Sequence, residues 1–230
     1  TIPELLRTVP GLQVAHGESG QWMVTSRGFA NGFANKLLVM VDGRTIYTSL
    51  FSGVYWGVQD VMLENIKQIE VIRGPGATQW GANAVNGVIN IITEPAANTQ
   101  SGLASATYGN NNDSLMTRYG GKIKNNSYYR IYASRYDEHN TENLYTKTNG
   151  NDLMLNKGGF RIDYDEFEKD QITLQGDVYN SNIQLDSFLP DTSTANSRLK
   201  DNLEIHGGNL ASKWEHQIND KEETQLQFYY

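Results

Sequence analysis

Over residues 102–230 the chain alternates between apolar and polar side chains in a series of separate runs. Leu115, Thr117, Tyr119, Gly121 and Ile123 alternate with Met116, Arg118, Gly120, Lys122 and Lys124. Phe160, Ile162 and Tyr164 alternate with Arg161 and Asp163, and Ile172, Leu174, Gly176 and Val178 alternate with Thr173, Gln175, Asp177 and Tyr179. Successive side chains of an extended chain point to opposite faces, so a period of two means strands with two unlike faces. The pattern predicts strands at about 102–109, 115–124, 127–137, 154–164, 169–180, 205–217 and 222–230. Segments of roughly ten residues with one apolar and one polar face are what a tilted strand needs to cross a bilayer. A water-soluble sandwich of two sheets would show the same alternation.

Connection lengths help to separate the two. Those at Lys124–Ser127, Asp165–Glu168 and Asn219–Lys221 are very short, those at His139–Leu153 and Ser181–Glu204 are long and polar, and Asn110–Ser114 is intermediate. Short and long therefore alternate, as they do between the two rims of an outer-membrane barrel, and a sandwich has no reason to sort its loops so. Tyr108, Tyr128, Tyr136, Tyr164 and Tyr179 stand near strand ends, which fits an interfacial girdle and also the ordinary strand preference of tyrosine. Single-chain bacterial barrels close with an even number of strands, from about 8 upwards, and an open sheet leaves two bare edges. The sequence stops inside an alternation, at QLQFYY, so the expectation is a fragment of a longer protein, cut at both ends.

Before a boundary placed at about residue 98, in PAANTQSG, the texture differs: apolar runs are compact and glycines dense. Ile2, Leu5, Leu6 and Val9 lie on one helical face, with Pro3 tolerated in the first turn and Pro10–Gly11 as the stop. Leu37–Val41 and Thr45–Tyr47 flank Asp42–Gly43, a hairpin signal. Val61–Ile66 reads as a short helix, and Ile69–Ile72 and Val88–Ile92 as strands apolar enough to be buried. Between those two strands lie Gly74, Gly76, Gly81 and Gly87, glycines expected at hinges and turns. The fold class expected is an α+β domain over residues 1–98, followed by a partial antiparallel barrel of about seven strands over 99–230.

Several function classes are disfavoured. There is no cysteine, hence no disulfide framework and no thiolate site. The net charge of −7 argues against a nucleic-acid surface. No run of 18 apolar residues predicts a membrane helix, and no signal peptide opens the sequence. His16, His139, His206 and His216 are scattered without metal-ligand spacing. No catalytic constellation stands out, and Pro75 with the lack of Gly-Lys-Ser/Thr speaks against a phosphate loop. No enzyme, cofactor or metal site is expected.

Four segments carry a resemblance: LLRTVPGLQV at 5–14, SRGF at 26–29, LLVMVDGRTIYT at 37–48 and ENIKQIEVIRGPGATQWGANAVNGVINIIT at 64–93. Together they resemble the plug domain of TonB-dependent outer-membrane receptors, with the alternating strands as the start of the surrounding barrel. The resemblance implies a Gram-negative outer-membrane protein that captures a scarce nutrient, most readily a ferric siderophore, with haem, cobalamin and oligosaccharides open. It implies TonB as energising partner, through a segment ahead of the plug that is missing here, and outer-membrane lipid around the barrel. Arg27 and Arg73 resemble the family's two plug arginines, which meet barrel carboxylates expected beyond Tyr230; Glu70 is a candidate partner inside the plug. A guanidinium suits such a latch because its planar fork holds a carboxylate in two places. Phe51, Tyr55, Trp56 and Trp80 are candidate ligand contacts, with packing inside the plug as the alternative. Trp80 and Asn86 depart from the family's more usual Tyr and Gly. Two other readings stay open: a receptor of the same family that also signals, and a soluble β-rich carbohydrate-binding module.

Overall fold

The computed structural model describes residues 1–17, 20–26, 28, 36–48, 50–59, 61–81, 83–139, 152–165, 167, 169–189 and 197–230. The chain divides into two compact units, Thr1–Glu94 and Pro95–Tyr230.

The first unit comprises α1 (Ile2–Leu6), β1 (Leu12–His16), β2 (Trp22–Ser26), β3 (Leu37–Val41), β4 (Arg44–Thr45), β5 (Ile66–Arg73), α2 (Ala77–Trp80) and β6 (Gly87–Thr93). Helix α1 stops a turn before Val9. Proline disfavours the helical region for the residue preceding it, and the Thr8 hydroxyl donates to the Leu5 carbonyl at 2.7 Å. Strands β1 and β2 form a separate hairpin, and the others make a four-stranded sheet ordered β4-β3-β6-β5 with β3 and β6 parallel. Asp42 and Gly43 have φ of 47° and 79°, the two positive values a tight two-residue hairpin turn requires. The Asp42 carboxylate also reaches across the sheet, accepting from the Thr93 N–H at 2.9 Å and its hydroxyl at 2.8 Å.

Strands β3 and β6 occupy the centre and are buried on both faces, which is why they read as unbroken apolar runs. Leu37, Val39, Ile89 and Ile91 face a core shared with Ile2, Leu6, Trp22, Val24, Ile46, Val54 and Trp56. Leu38, Met40, Ala84 and Val88 pack on the other side. Strand β5 departs from expectation. It is an edge strand whose burial alternates, with Ile72 38% exposed. The expected helix over Val61–Ile66 reduces to one 3₁₀ turn, Leu63–Asn65.

The second unit opens with a 3₁₀ turn, Ala96–Asn98, and continues with β7 (Ser101–Tyr108), β8 (Asn112–Lys124), β9 (Ser127–Glu138), β10 (Leu153–Tyr164), β11 (Asp170–Leu189), β12 (Ser197–Asn219) and β13 (Glu222–Tyr229). These seven strands form one sheet in sequence order, every neighbour antiparallel and the sheet unclosed. The long loop expected over Ser181–Glu204 is mostly ladder: β11 and β12 stay paired from Asp170↔His216 out to Leu189↔Ser197. Apolar alternation runs on into these outer ends, through Ile183 on β11 and Leu203 and Ile205 on β12, but polar residues dilute it enough for the stretch to read as a loop.

The register gathers unlike residues on the two faces. Across β8 to β12, Tyr119, Ile131, Phe160, Gly176 and Leu210 share one row, and Gly121, Tyr129, Ile162, Leu174 and Ser212 share the next. Arg118, Arg130, Arg161, Gln175, Asp177 and Lys213 point the other way. There Arg161 pairs with Asp163 at 2.9 Å, Lys157 with Asp177 at 3.3 Å and Lys213 with Glu215 at 2.9 Å. Both faces use a device that fixes register: Tyr129, Tyr132 and Tyr179 lie over Gly121, Gly159 and Gly207 on adjacent strands, where any Cβ would run into the ring.

Candidate functional site

The glycine-punctuated excursion between β5 and β6 closes on itself. The Gly74 N–H donates to the Asn86 carbonyl at 3.1 Å, Gly76 to Ala84 at 2.9 Å, and Asn86 to Lys36 at 2.8 Å. Gly74 and Gly81 sit at φ of 115° and 84°, conformations that side chains resist. Gly87 is required for a different reason: a Cβ there would meet the Ile72 carbonyl and the Leu37 side chain. Gly76 is buried beneath the Trp80 indole.

Arg73 ends β5, and its Nη1 donates to the Pro10 carbonyl at 2.9 Å while its side chain lies against Gly11. It therefore ties the turn after α1 to a strand more than sixty residues away. Glu70 does not join it. The two lie on opposite faces of β5, being three residues apart on an extended chain, and the Glu70 carboxylate accepts from Gln68 at 2.7 Å and Asn90 at 3.1 Å. Glu70 is thus a brace between β5 and β6. Arg27 lies outside the described residues.

The candidate ligand contacts separate. Trp56 is 7% exposed and belongs to the main core beside Val54, so it is a packing residue: a large indole gains most by leaving water. Phe51 and Tyr55 are half-buried, and burial raises the Tyr55 phenol above its usual pKa. Trp80 is half-buried over the smaller core. Phe51, Tyr55 and Trp80 thus keep part of their surface accessible.

Three features escaped the sequence reading. The Asp42–Thr93 clamp was hidden because Asp-Gly is fully explained as a turn. The Trp22 indole meets both the His16 ring, stacked at 4.0 Å, and the Arg7 guanidinium at 5.1 Å, contacts across elements that no local pattern announces. Asp163, one of many polar residues in an alternating strand, accepts from the Ala96 N–H, Arg161 and the Thr173 hydroxyl.

Comparison with known proteins identifies the first unit. The model for the TonB-dependent Receptor Plug Domain matches residues 1–88. Residues 1–88 are a plug domain of the TonB-dependent receptors. It is 35% identical over 129 residues to the vitamin B12 transporter BtuB of Vibrio vulnificus, a match covering 55% of this chain and 20% of that protein. It is 29% identical over 191 residues to BtuB of Photobacterium profundum, covering 80% and 29%. The chain therefore spans less than a third of the length of these relatives. Its fold superposes on the siderophore receptor PirA from Acinetobacter baumannii with TM-score 0.73 at 16% identity, covering 99% of this chain and 36% of that one. It superposes on the copper transporter OprC with TM-score 0.72 at 16% identity, covering 99% and 34%. These likenesses establish the architecture, a plug followed by strands of a transmembrane barrel. The plug domain places the chain in the Gram-negative outer membrane, in a family of receptors and transporters, which are not enzymes.

Proposed function

We propose that this receptor captures a metal chelate at the cell surface, a ferric siderophore in the first instance, and admits it to the periplasm when TonB energises movement of the plug. The observation that carries this reading is a two-faced sheet that follows a hinged plug in one chain. One face is apolar enough for lipid. The other is lined with arginine, lysine and carboxylate, as a water-filled lumen requires. A plug that must hold and then move is best tied by polar contacts at its surface, which break without unpacking a core. The Arg73 bond to the Pro10 carbonyl lies within the plug and holds the exposed guanidinium at its surface, where such a tie would form. In this reading Arg73 and Arg27 are latch residues and Glu70 supports β5 behind them. Gly74, Gly76, Gly81 and Gly87 give the hinge, and Phe51, Tyr55 and Trp80 offer partly exposed aromatic surface to the ligand. A second reading, cobalamin as cargo, is favoured by the BtuB relatives.

Growth of a strain lacking the full-length gene on defined nutrients tests both. Loss of growth on one ferric chelate, restored by the gene, supports the first reading. Loss confined to cobalamin supports the second. Normal growth on every ferric chelate and on cobalamin sinks both.

A further inference from the structure

The segment joining the two units is built into the strands of the second. Ala96 is fully buried and Thr99 nearly so. The Ala96 N–H donates to Asp163 Oδ2 at 2.5 Å, and the same carboxylate accepts from Arg161 Nε at 2.9 and 3.0 Å and from the Thr173 hydroxyl at 3.0 Å. The Ala96 carbonyl accepts from the Gln100 side chain at 2.6 Å, the Thr99 N–H at 3.1 Å and the Thr99 hydroxyl at 3.2 Å. On β8 the absence of a side chain at Gly120 makes the notch into which the Thr99 carbonyl fits, since a Cβ there would overlap it. The chain leaves the notch through Ser101 at φ 66°, a strained value for serine that persists only where its surroundings dictate it. Three unrelated features thus fix the same short stretch: a carboxylate on β10, a missing side chain on β8 and a forced backbone angle at the start of β7.

We propose that Asp163 and Gly120 form an anchor that ends the movable part of the plug at Glu94, so that from Ala96 onward the chain remains with the barrel strands while the plug rearranges. Asp163 is then a positioning residue: it touches no ligand and keeps the displaced plug attached to the wall at a defined point. The functional meaning rests on the transport reading above, but the anchor itself does not.

Hydrogen exchange of the full-length receptor in detergent micelles, followed by mass spectrometry at increasing urea, tests it. The wild-type amides of Ala96, Asn98 and Thr99 should exchange with those of β8 and β9, at concentrations above that which releases β3 and β6. Asp163→Ala and Gly120→Ala should each raise exchange at these three amides at least tenfold and move them into the plug's class. Heat-modifiable electrophoretic mobility reports that the barrel of each variant has folded. Exchange of the wild-type amides together with β3 and β6 overturns the anchor, and so does unchanged protection in a folded Gly120→Ala receptor. The measurement needs neither ligand nor energised cells, so its failure is distinct from a failure of the transport assignment. Uptake should fall in Asp163→Ala while ligand binding stays within twofold of wild type.

Discussion

At the scale of single residues, the glycines of the sheet are not equivalent. Gly158 and Gly159 are adjacent on β10 and point to opposite faces. A Cβ at Gly159 would strike the Tyr132 ring, whereas one at Gly158 would meet nothing closer than the Tyr132 carbonyl at 3.7 Å. Gly159→Ala should therefore destabilise the full receptor by about 1–3 kcal/mol through overpacking, and Gly158→Ala should be neutral or slightly stabilising. Equilibrium urea unfolding of the two variants checks this, and equal effects would show that neither the Tyr132 ring nor the Gly176 carbonyl limits the space at Gly159. Arg73 makes a second case. Its planar fork bonds the Pro10 carbonyl with one nitrogen, and in the proposed latch the others would hold a carboxylate, which lysine cannot imitate. In the full receptor Arg73→Ala should leave ligand affinity within about threefold and lower uptake at least about tenfold, with Arg73→Lys restoring only part of the loss. Paired binding and uptake assays separate the two effects, and normal uptake in Arg73→Ala would remove the latch.

Elements were legible where local chemistry decides them. The Asp42–Gly43 hairpin and the seven barrel strands follow from turn residues and alternation, which need no knowledge of neighbours. The edge position of β5 was not, because the order β4-β3-β6-β5 is set by pairings far apart in sequence. The outer ends of β11 and β12 read as a loop because the apolar residues that mark their ladder, such as Ile183 and Leu203, are few among many polar ones. Among the candidate site residues, Trp56 read both as a ligand contact and as a packing residue, because loop position and core packing give the same residue type. Tyr47 illustrates how an element's packing becomes measurable. Its hydroxyl donates to the Leu37 carbonyl at 2.8 Å, and burial pushes its pKa up to about 12. The folded value lies above the unfolded one, so this group's contribution is whole below about pH 10 and is lost as pH rises through about 12. Tyr47→Phe should lower neutral-pH stability of the plug by about 0.5–1.5 kcal/mol, the net worth of one hydrogen bond, and flatten its alkaline loss. Tyr55, also raised by burial, leaves a residual slope. Fluorescence of Trp22, Trp56 and Trp80 during alkaline titration follows the plug, and an unchanged profile in the variant would assign the loss elsewhere.

At the scale of the whole molecule, the membrane assignment rests on where charge returns along each strand. On the apolar face of β9, Ile131 is 53% exposed, yet Arg135, four residues further on the same face, is ion-paired with Asp137 at 2.6 Å. On β8 the apolar stretch runs from Leu115 to Ile123, about 27 Å of strand, or about 20 Å of height at the usual tilt, close to the apolar band of an outer-membrane barrel. Arg135 and its neighbours Asn156 and Asn180, aligned with it in the register, mark one border of that band. At the other end the Trp214 indole and the His216 ring both bond Asp170, each at 2.8 Å, a polar cluster where a headgroup region would lie. A lysine placed along this face should therefore cost an amount that depends on depth. Ile131→Lys should destabilise the full receptor, refolded into lipid vesicles, by about 2–4 kcal/mol, and Asn156→Lys by about 0–1 kcal/mol. The same lysines in a water-soluble sheet would both be nearly neutral, because an exposed lysine there loses no solvation. Unfolding free energies of the two variants measured side by side decide the matter: a gradient from Ile131 to Asn156 requires lipid against this face, and equal costs would remove the membrane from the description of these strands.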